Sequence, residues 1–242
     1  MKTTKTNSRS QPKKNVAILF DMDGVLVDVT NSYRKAILET VQFFTDEKPL
    51  HGEIQQLKEK GGYNNDWNLT EALLISRDKA VAKKEIIRKF QEFYWGWEGK
   101  KGFIENEKWL LPKPKLKELH EKHLLGIVTG RPRAETLFIL KKFDVERLFD
   151  AVVAMEDYSP EQSKPDPFPI KLALERLGLR EAVYVGDSVD DITAAKRAGI
   201  QPIGCVPPGV FPDKLKNLLL KQGAKMVLDN ISEIDKALNR RR

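Results

Sequence analysis

The sequence predicts an α/β fold, a doubly wound parallel sheet interrupted by a helical insert. Three observations carry that prediction. Short apolar runs at 16–20, 125–128 and 183–185, rich in Val, Ile and Leu, read as strands buried on both faces. From Lys115 onward such runs alternate with helical patterns, as they do when helices cover both faces of a parallel sheet. Between the first strand and that alternation lies a long stretch with helical periodicity only.

In chain order, residues 1–15 are rich in Thr, Ser, Asn and Lys and read as a disordered basic tail. Strand 16–20 follows, within a core domain expected to span 16–29 and 112–242. Residues 30–111 form the expected helical cap. There Tyr33, Ala36, Ile37, Val41 and Phe44 recur at three- and four-residue steps, as do Ile86, Phe90, Phe93 and Trp97. The aromatics Phe93, Tyr94, Trp95 and Trp97 are read as packing within the cap. Pro112 and Pro114 mark the return to the core. Helices are then expected at 116–123, 134–143, 168–177, 190–198 and 212–221, with strands at 125–128, 151–154, 183–185, 202–206 and 225–228.

The 242 residues carry a formal net charge of +7. Residues 1–15 hold five Lys and Arg with no acid, and Arg240, Arg241 and Arg242 add three, so the body between them is slightly acidic. A nucleic-acid-binding fold carries its charge as a patch on the folded body, so no specific nucleic-acid partner is expected. No apolar stretch approaches the roughly 18 residues of a membrane span, and no signal-peptide hydrophobic region follows the basic start. Cys205 is the only cysteine, read as a buried small hydrophobe. A cytoplasmic protein is the simplest expectation, with an organellar transit peptide left open by the Lys/Thr/Ser-rich start.

The chemistry-bearing residues fall at the ends of the apolar runs. Asp21 and Asp23 follow the first, Thr129 follows 125–128, Asp187 follows 183–186, and Lys164 lies in a Pro-rich loop. Ligands in open α/β sheets bind at the carboxyl ends of the strands. Carboxylates, a hydroxyl and an ammonium are the groups that hold a phosphoryl group and a divalent cation.

Asp21-Met22-Asp23-Gly24-Val25-Leu26-Val27-Asp28 resembles the first motif of the haloacid dehalogenase-like phosphatases. Thr129-Gly130-Arg131-Pro132, Lys164-Pro165-Asp166-Pro167 and Gly186-Asp187-Ser188-Val189-Asp190-Asp191 resemble the second, third and fourth, in the family's order. The position of the insert resembles the helical cap of the subgroup containing phosphoglycolate phosphatases and β-phosphoglucomutases. The resemblance implies a Mg²⁺-dependent phosphatase acting on a small phosphorylated metabolite. In it Asp21 is the nucleophile, forming an aspartyl-phosphate, and Asp23 is the general acid and base. Asp21, Asp187 and the backbone carbonyl of Asp23 are the implied metal ligands. Thr129, Gly130, Arg131 and Lys164 hold the phosphoryl group, while Asp191, with Ser188, orients Lys164 or a metal-bound water.

Cap residues 61–67 admit two readings. Asn64, Asn65 and Trp67 line a substrate pocket, or the segment is a turn in which Asn65 or Asp66 caps the next helix and Trp67 packs inside. Val25, Val29 and the Gly-Arg-Pro of the second motif depart from many phosphoglycolate phosphatases, which leaves the substrate open. Dehalogenation is disfavoured, because it has no use for an acid at Asp23. A phosphomutase on the same core and a phospho-accepting receiver-like module remain the alternatives.

Overall fold

The computed structural model of the chain describes residues 16–63 and 65–239. The expected tail at 1–15, Asn64 and the three terminal arginines lie outside the described residues. Strand β1 (Ala17–Phe20) leads into a short strand β2 (Val27–Asp28) and then four helices: α1 (Tyr33–Thr45), α2 (His51–Lys60), α3 (Asp66–Ile75) and α4 (Lys83–Trp95). A second short strand, β3 (Lys108–Trp109), pairs antiparallel with β2, so a two-stranded ribbon brackets the helical insert. The alternating half follows: α5 (Lys113–Lys122), β4 (Leu124–Val128), α6 (Arg133–Lys142), β5 (Ala151–Val153), α7 (Phe168–Leu177), β6 (Ala182–Gly186), α8 (Val189–Arg197), β7 (Gln201–Cys205), α9 (Pro212–Gln222), β8 (Val227–Leu228) and α10 (Asp235–Asn239).

The six long-range strands form one parallel sheet in the order β5-β4-β1-β6-β7-β8. The chain therefore winds outward from β1 in both directions, and β1 is where the winding reverses. Along β1, Ile18 and Phe20 enter one hydrophobic cluster while Ala17 and Leu19 enter another on the opposite face. That two-residue period on a fully buried strand explains why its sequence reads as an unbroken apolar run.

Two of the differences from the sequence expectation have a clear local cause. Helix α5 starts at Lys113, ahead of the predicted 116, because Pro114 sits in its first turn, where a missing N–H costs nothing. The periodic run assigned to the fourth helix stops before Trp97. Gly96 takes φ of +92° and closes α4, leaving Trp97 61% exposed rather than packed. Tyr94, by contrast, is fully buried.

The insert meets the sheet half at a buried aromatic joint. Tyr33 stacks on Tyr94 with ring centroids 4.4 Å apart, and its hydroxyl donates to Glu135 of α6. Gln91 Nε2 donates to the other Glu135 oxygen at 2.8 Å. Burial pushes the Glu135 carboxyl up to about 7, against the opposing pull of Tyr33, Arg131 and Gln91. The folded state therefore holds this proton more tightly than the unfolded chain, where the ordinary value is 4.5. Stability falls as pH rises from the unfolded value toward 7 and levels off above it.

Denaturant unfolding at pH 5 and pH 8 is expected to show Glu135→Gln losing this component. Between those pH values the variant should gain about 2.5 kcal/mol relative to the parent. Parallel pH dependence of the two proteins would remove Glu135 as the source. A second expectation concerns α3, whose first-turn amides of Trp67 and Asn68 donate to Asn65 Oδ1 at 3.0 and 3.1 Å. Asn65→Ala should lower unfolding stability by about 1 kcal/mol, read from the urea midpoint at unchanged slope. An unchanged midpoint would mean that the cap adds nothing.

Candidate active site

Register places the site. Phe20 lies beside Ile127 of β4 and Val185 of β6, so the three strands end within one residue of one another. The residues that immediately follow β1, β4 and β6 are Asp21, Thr129 and Asp187, and all three line one pocket. Lys164 reaches it from the loop after β5, and its ammonium is buried. Nζ donates to Asp21 Oδ1 at 2.7 Å, Asp191 Oδ1 at 2.6 Å and the Tyr184 hydroxyl at 2.9 Å. Burial alone would pull the ammonium's pKa down. The carboxylates of Asp191 and Asp21 more than reverse this, so the group is held charged.

Asp191 is fixed from its other side. Ser188 donates to Asp191 Oδ2 through its amide at 3.0 Å and its hydroxyl at 2.6 Å, and the Asp191 amide returns a bond to Ser188 Oγ at 3.2 Å. This reciprocal cap starts α8, so Ser188 serves the helix start and the Asp191 carboxylate together. Gly186 makes the approach possible, since a Cβ there would fall 2.3 Å from the Asp191 Cβ. Gly24 has the same importance on the other side. Its φ is +80° and an added Cβ would lie 2.2 Å from Asp187 Oδ2.

Oxygen atoms of Asp21, Asp187 and Asp191 lie within 4.8 Å of one another. Burial and neighbouring carboxylates raise Asp21 well above its ordinary value despite the opposing pull of Lys164. Asp187 is likewise pushed up to about 7 by burial and Asp191, with Lys58 and Arg34 pulling it back. Such an all-oxygen, charge-crowded donor set fits a hard divalent cation, which relieves the repulsion that raises these carboxyls.

The residues expected to cradle a phosphoryl group lie at the end of β4 and in the turn after it. Thr129 is buried, its amide donates to Val153 O at 3.0 Å, and its hydroxyl oxygen accepts from the Arg131 amide at 3.1 Å. The hydroxyl proton is thereby left to donate elsewhere. Gly130 lines the pocket. Arg131, expected among the substrate groups, lines the same pocket and is committed to two carboxylates. Its side chain is fully buried and bonds to Asp23 Oδ1 through Nε at 3.0 Å and through Nη2. It also donates to Glu107 through Nη1 at 2.9 Å and Nη2 at 3.2 Å.

From the insert, Lys58, Asn65, Asp66 and Trp67 face the same pocket, with Lys58 and Asp66 paired at 3.1 Å. The Asn65 side-chain oxygen caps α3, as the turn reading of 61–67 anticipates. The same loop is tied to the sheet half by the Gly62 amide, which donates to Asp190 Oδ2 at 2.9 Å. A cavity of about 520 Å³, lined by Trp67, Asn68, Lys83, Met155 and Tyr158 among others, adjoins the cradle at Gly130 and Lys164. The sequence reading missed Tyr184, Glu107, Tyr33, Lys58 and Asp66 as site residues. Tyr184 could have been noticed, being a hydroxyl inside a buried strand; the others carry no local signal.

Comparison with known proteins agrees with this geometry. The family model for haloacid dehalogenase-like hydrolases matches residues 18–205. An imidazoleglycerol-phosphate dehydratase of Phytophthora nicotianae is 36% identical over 228 residues, which cover 88% of this chain and 50% of that protein. The chain thus spans half the length of that relative. A phosphoglycolate phosphatase of Photorhabdus laumondii is 31% identical over 195 residues, covering 78% of this chain and 79% of that one. Among solved structures, a predicted phosphoglycolate phosphatase from Haemophilus somnus superposes with a TM-score of 0.71 at 22% identity, covering 95% of this chain and all of its own. With four motifs in order on this sheet and a family match across most of its length, the chain belongs to the haloacid dehalogenase-like hydrolases.

Proposed function

We propose that this chain is a Mg²⁺-dependent phosphatase that hydrolyses small organic phosphate monoesters through an aspartyl-phosphate on Asp21. The observation that supports it most is the convergence of Asp21, Asp187, Thr129 and Lys164 at the ends of the central strands, with the Asp23 carboxylate in the same pocket. Mg²⁺, held by Asp21, Asp187 and the Asp23 backbone carbonyl, supplies the positive charge that lets one anion approach another. The rest belongs to the chain's own side chains. Lys164 grips the Asp21 oxygen Oδ1 and leaves Oδ2 to attack phosphorus. The Thr129 hydroxyl and Gly130 amide donate to the phosphoryl oxygens as charge builds on them.

The P–O bond to the organic group breaks as the Asp21–P bond forms, and Asp23 gives its proton to the departing oxygen. Asp23 then takes a proton from the water that splits the acyl phosphate, which restores both carboxyl groups and releases inorganic phosphate. One carboxyl cannot attack phosphorus and also protonate the leaving group, which is why the motif carries two. The insert, which lends Lys58, Asp66 and Trp67 to the pocket lining, acts as the cap that meets the organic part of the substrate and excludes water. The relatives named phosphoglycolate phosphatases support a small phosphorylated acid as substrate. The adjoining cavity of about 520 Å³ has room for a larger alcohol.

The test is a metabolite panel read by phosphate release, with and without chelator. It includes phosphoglycolate, glucose 1-phosphate and imidazoleglycerol phosphate. At least one monoester is expected to turn over many times per enzyme, with activity lost on chelation and restored by Mg²⁺. Asp21→Asn, folded by circular dichroism, should fall to background. A single turnover per molecule would indicate a phospho-accepting module instead, and chelator-resistant hydrolysis would remove the metal.

Asp23→Asn should divide the two half-reactions. Attack on an aryl phosphate with a good leaving group should fall far less than attack on an alkyl phosphate, and the phosphoenzyme should accumulate, because water activation is impaired for both. Rapid-quench measurement of the burst decides it. Equal loss of attack for both leaving groups removes the general-acid role.

A further inference from the structure

Arg131 is the least expected group at this site. It is a fully buried cation whose guanidinium is held between two carboxylates. Four hydrogen bonds commit its guanidinium, two to Asp23 Oδ1 and two across both oxygens of Glu107. Its planar face lies over the Tyr33 ring, with Cζ 4.8 Å from the centroid. Glu107 is itself fixed from the insert side. Its Oε1 accepts from Ser32 Oγ and from the Tyr94 hydroxyl, each at 2.8 Å. Ser32 precedes α1, Tyr94 lies in α4, and Glu107 immediately precedes the ribbon strand β3.

We propose that Arg131 is the positioning residue for the Asp23 carboxylate, and that through Glu107 it ties the orientation of that carboxylate to the seating of the helical insert. The inference rests on the reading of Asp23 as the acid and base. Among the described residues, the hydrogen bonds to the Asp23 side chain end on Oδ1, so Oδ2 is the oxygen left to trade a proton with the leaving group and with water. Two N–H groups converging from a rigid plane on Oδ1 restrain that oxygen more than the single mobile ammonium of a lysine would. A shift of the insert moves Ser32, Tyr94 and Glu107, and with them the guanidinium that aims Asp23. Proton transfer is thus best aligned when the insert is seated. A displacement of about 1 Å in such a group lowers rates by about 100-fold.

The experiment uses full-length enzyme with saturating Mg²⁺, and phenyl phosphate and 2,4-dinitrophenyl phosphate as probes of poor and good leaving groups. Arg131→Lys keeps a positive charge for Glu107. It should lower the attack step on phenyl phosphate by about 10- to 100-fold with KM nearly unchanged, and the dinitrophenolate burst by much less. In an Asp23→Asn background, Arg131→Lys should add no further loss, because its route of action is gone. Glu107→Gln keeps acceptance from Ser32 and Tyr94 while loosening Arg131. It should show the same leaving-group pattern more weakly, and it carries the test if Arg131→Lys fails to fold.

Equal losses for both probes, losses that multiply in the Asp23→Asn background, or a change confined to KM would each overturn the proposal. If Asp23→Asn alone leaves the leaving-group dependence intact, it is the acid and base assignment that fails, which is a separate result from failure of the Arg131 link.

Discussion

The buried ammonium of Lys164 is the interaction on which this site depends. Its three strong hydrogen bonds run to Asp21 after β1, to Asp191 in α8 and to Tyr184 in β6. Without that cation, two buried carboxylates would face each other at the end of the central strands, and burial would drive both toward neutrality. The ammonium bonds one oxygen of each, but Asp191 also accepts from the Ser188 amide and hydroxyl at 3.0 and 2.6 Å. The ammonium and the α8 start are already committed to Asp191, which leaves Asp21 and Asp187 as the underneutralised pair. That pair is where a divalent cation gains most, and the proposed metal site follows from the same imbalance.

Why so much of the fold was legible in the sequence can be seen at β1. A strand covered on both faces must be apolar at every position, so 16–20 announces itself, and the abrupt change to Asp-Met-Asp-Gly marks where cover ends. The same contrast locates Thr129 and Asp187. These positions need no knowledge of distant partners, because the strand end itself sets their place at the ligand edge. The family resemblance then supplied roles that the geometry accommodates.

What escaped the sequence depends on contacts between distant segments. Tyr184 looks like one more large residue in an apolar run, and only the sheet reveals its hydroxyl beside Lys164 and Asp191. Glu107 lies among other polar residues before β3, with nothing local to distinguish it from Glu105. It is buried only because α1, α4 and Arg131 converge on it. Arg131 was legible as a basic residue beside a phosphate cradle, and reading it as a substrate group was natural. Its direction was not legible, since that is set by two carboxylates elsewhere in the chain. Trp97 shows the opposite error: periodicity continued past a glycine that in fact ends the helix.

The two carboxylates of the first motif end up in different electrostatic settings although one residue separates them. Asp21 shares an ammonium that two other groups also hold, in a fully buried site, and it stays near the strand ends where phosphorus is proposed to arrive. Asp23 keeps partial exposure and shares its guanidinium with the buried carboxylate of Glu107. A nucleophile must be held still against its own electrostatic cost, which a point charge and a metal do. A group that gives a proton and later takes one must keep a fixed direction while its charge changes, which a planar two-point donor does better. The division of cations, lysine for one carboxylate and arginine for the other, therefore matches the division of labour proposed for them. It also explains how the insert can influence catalysis: only the arginine is anchored in the insert's own joint, through Glu107, so movement of the insert reaches the proton-transfer group and leaves the nucleophile in place.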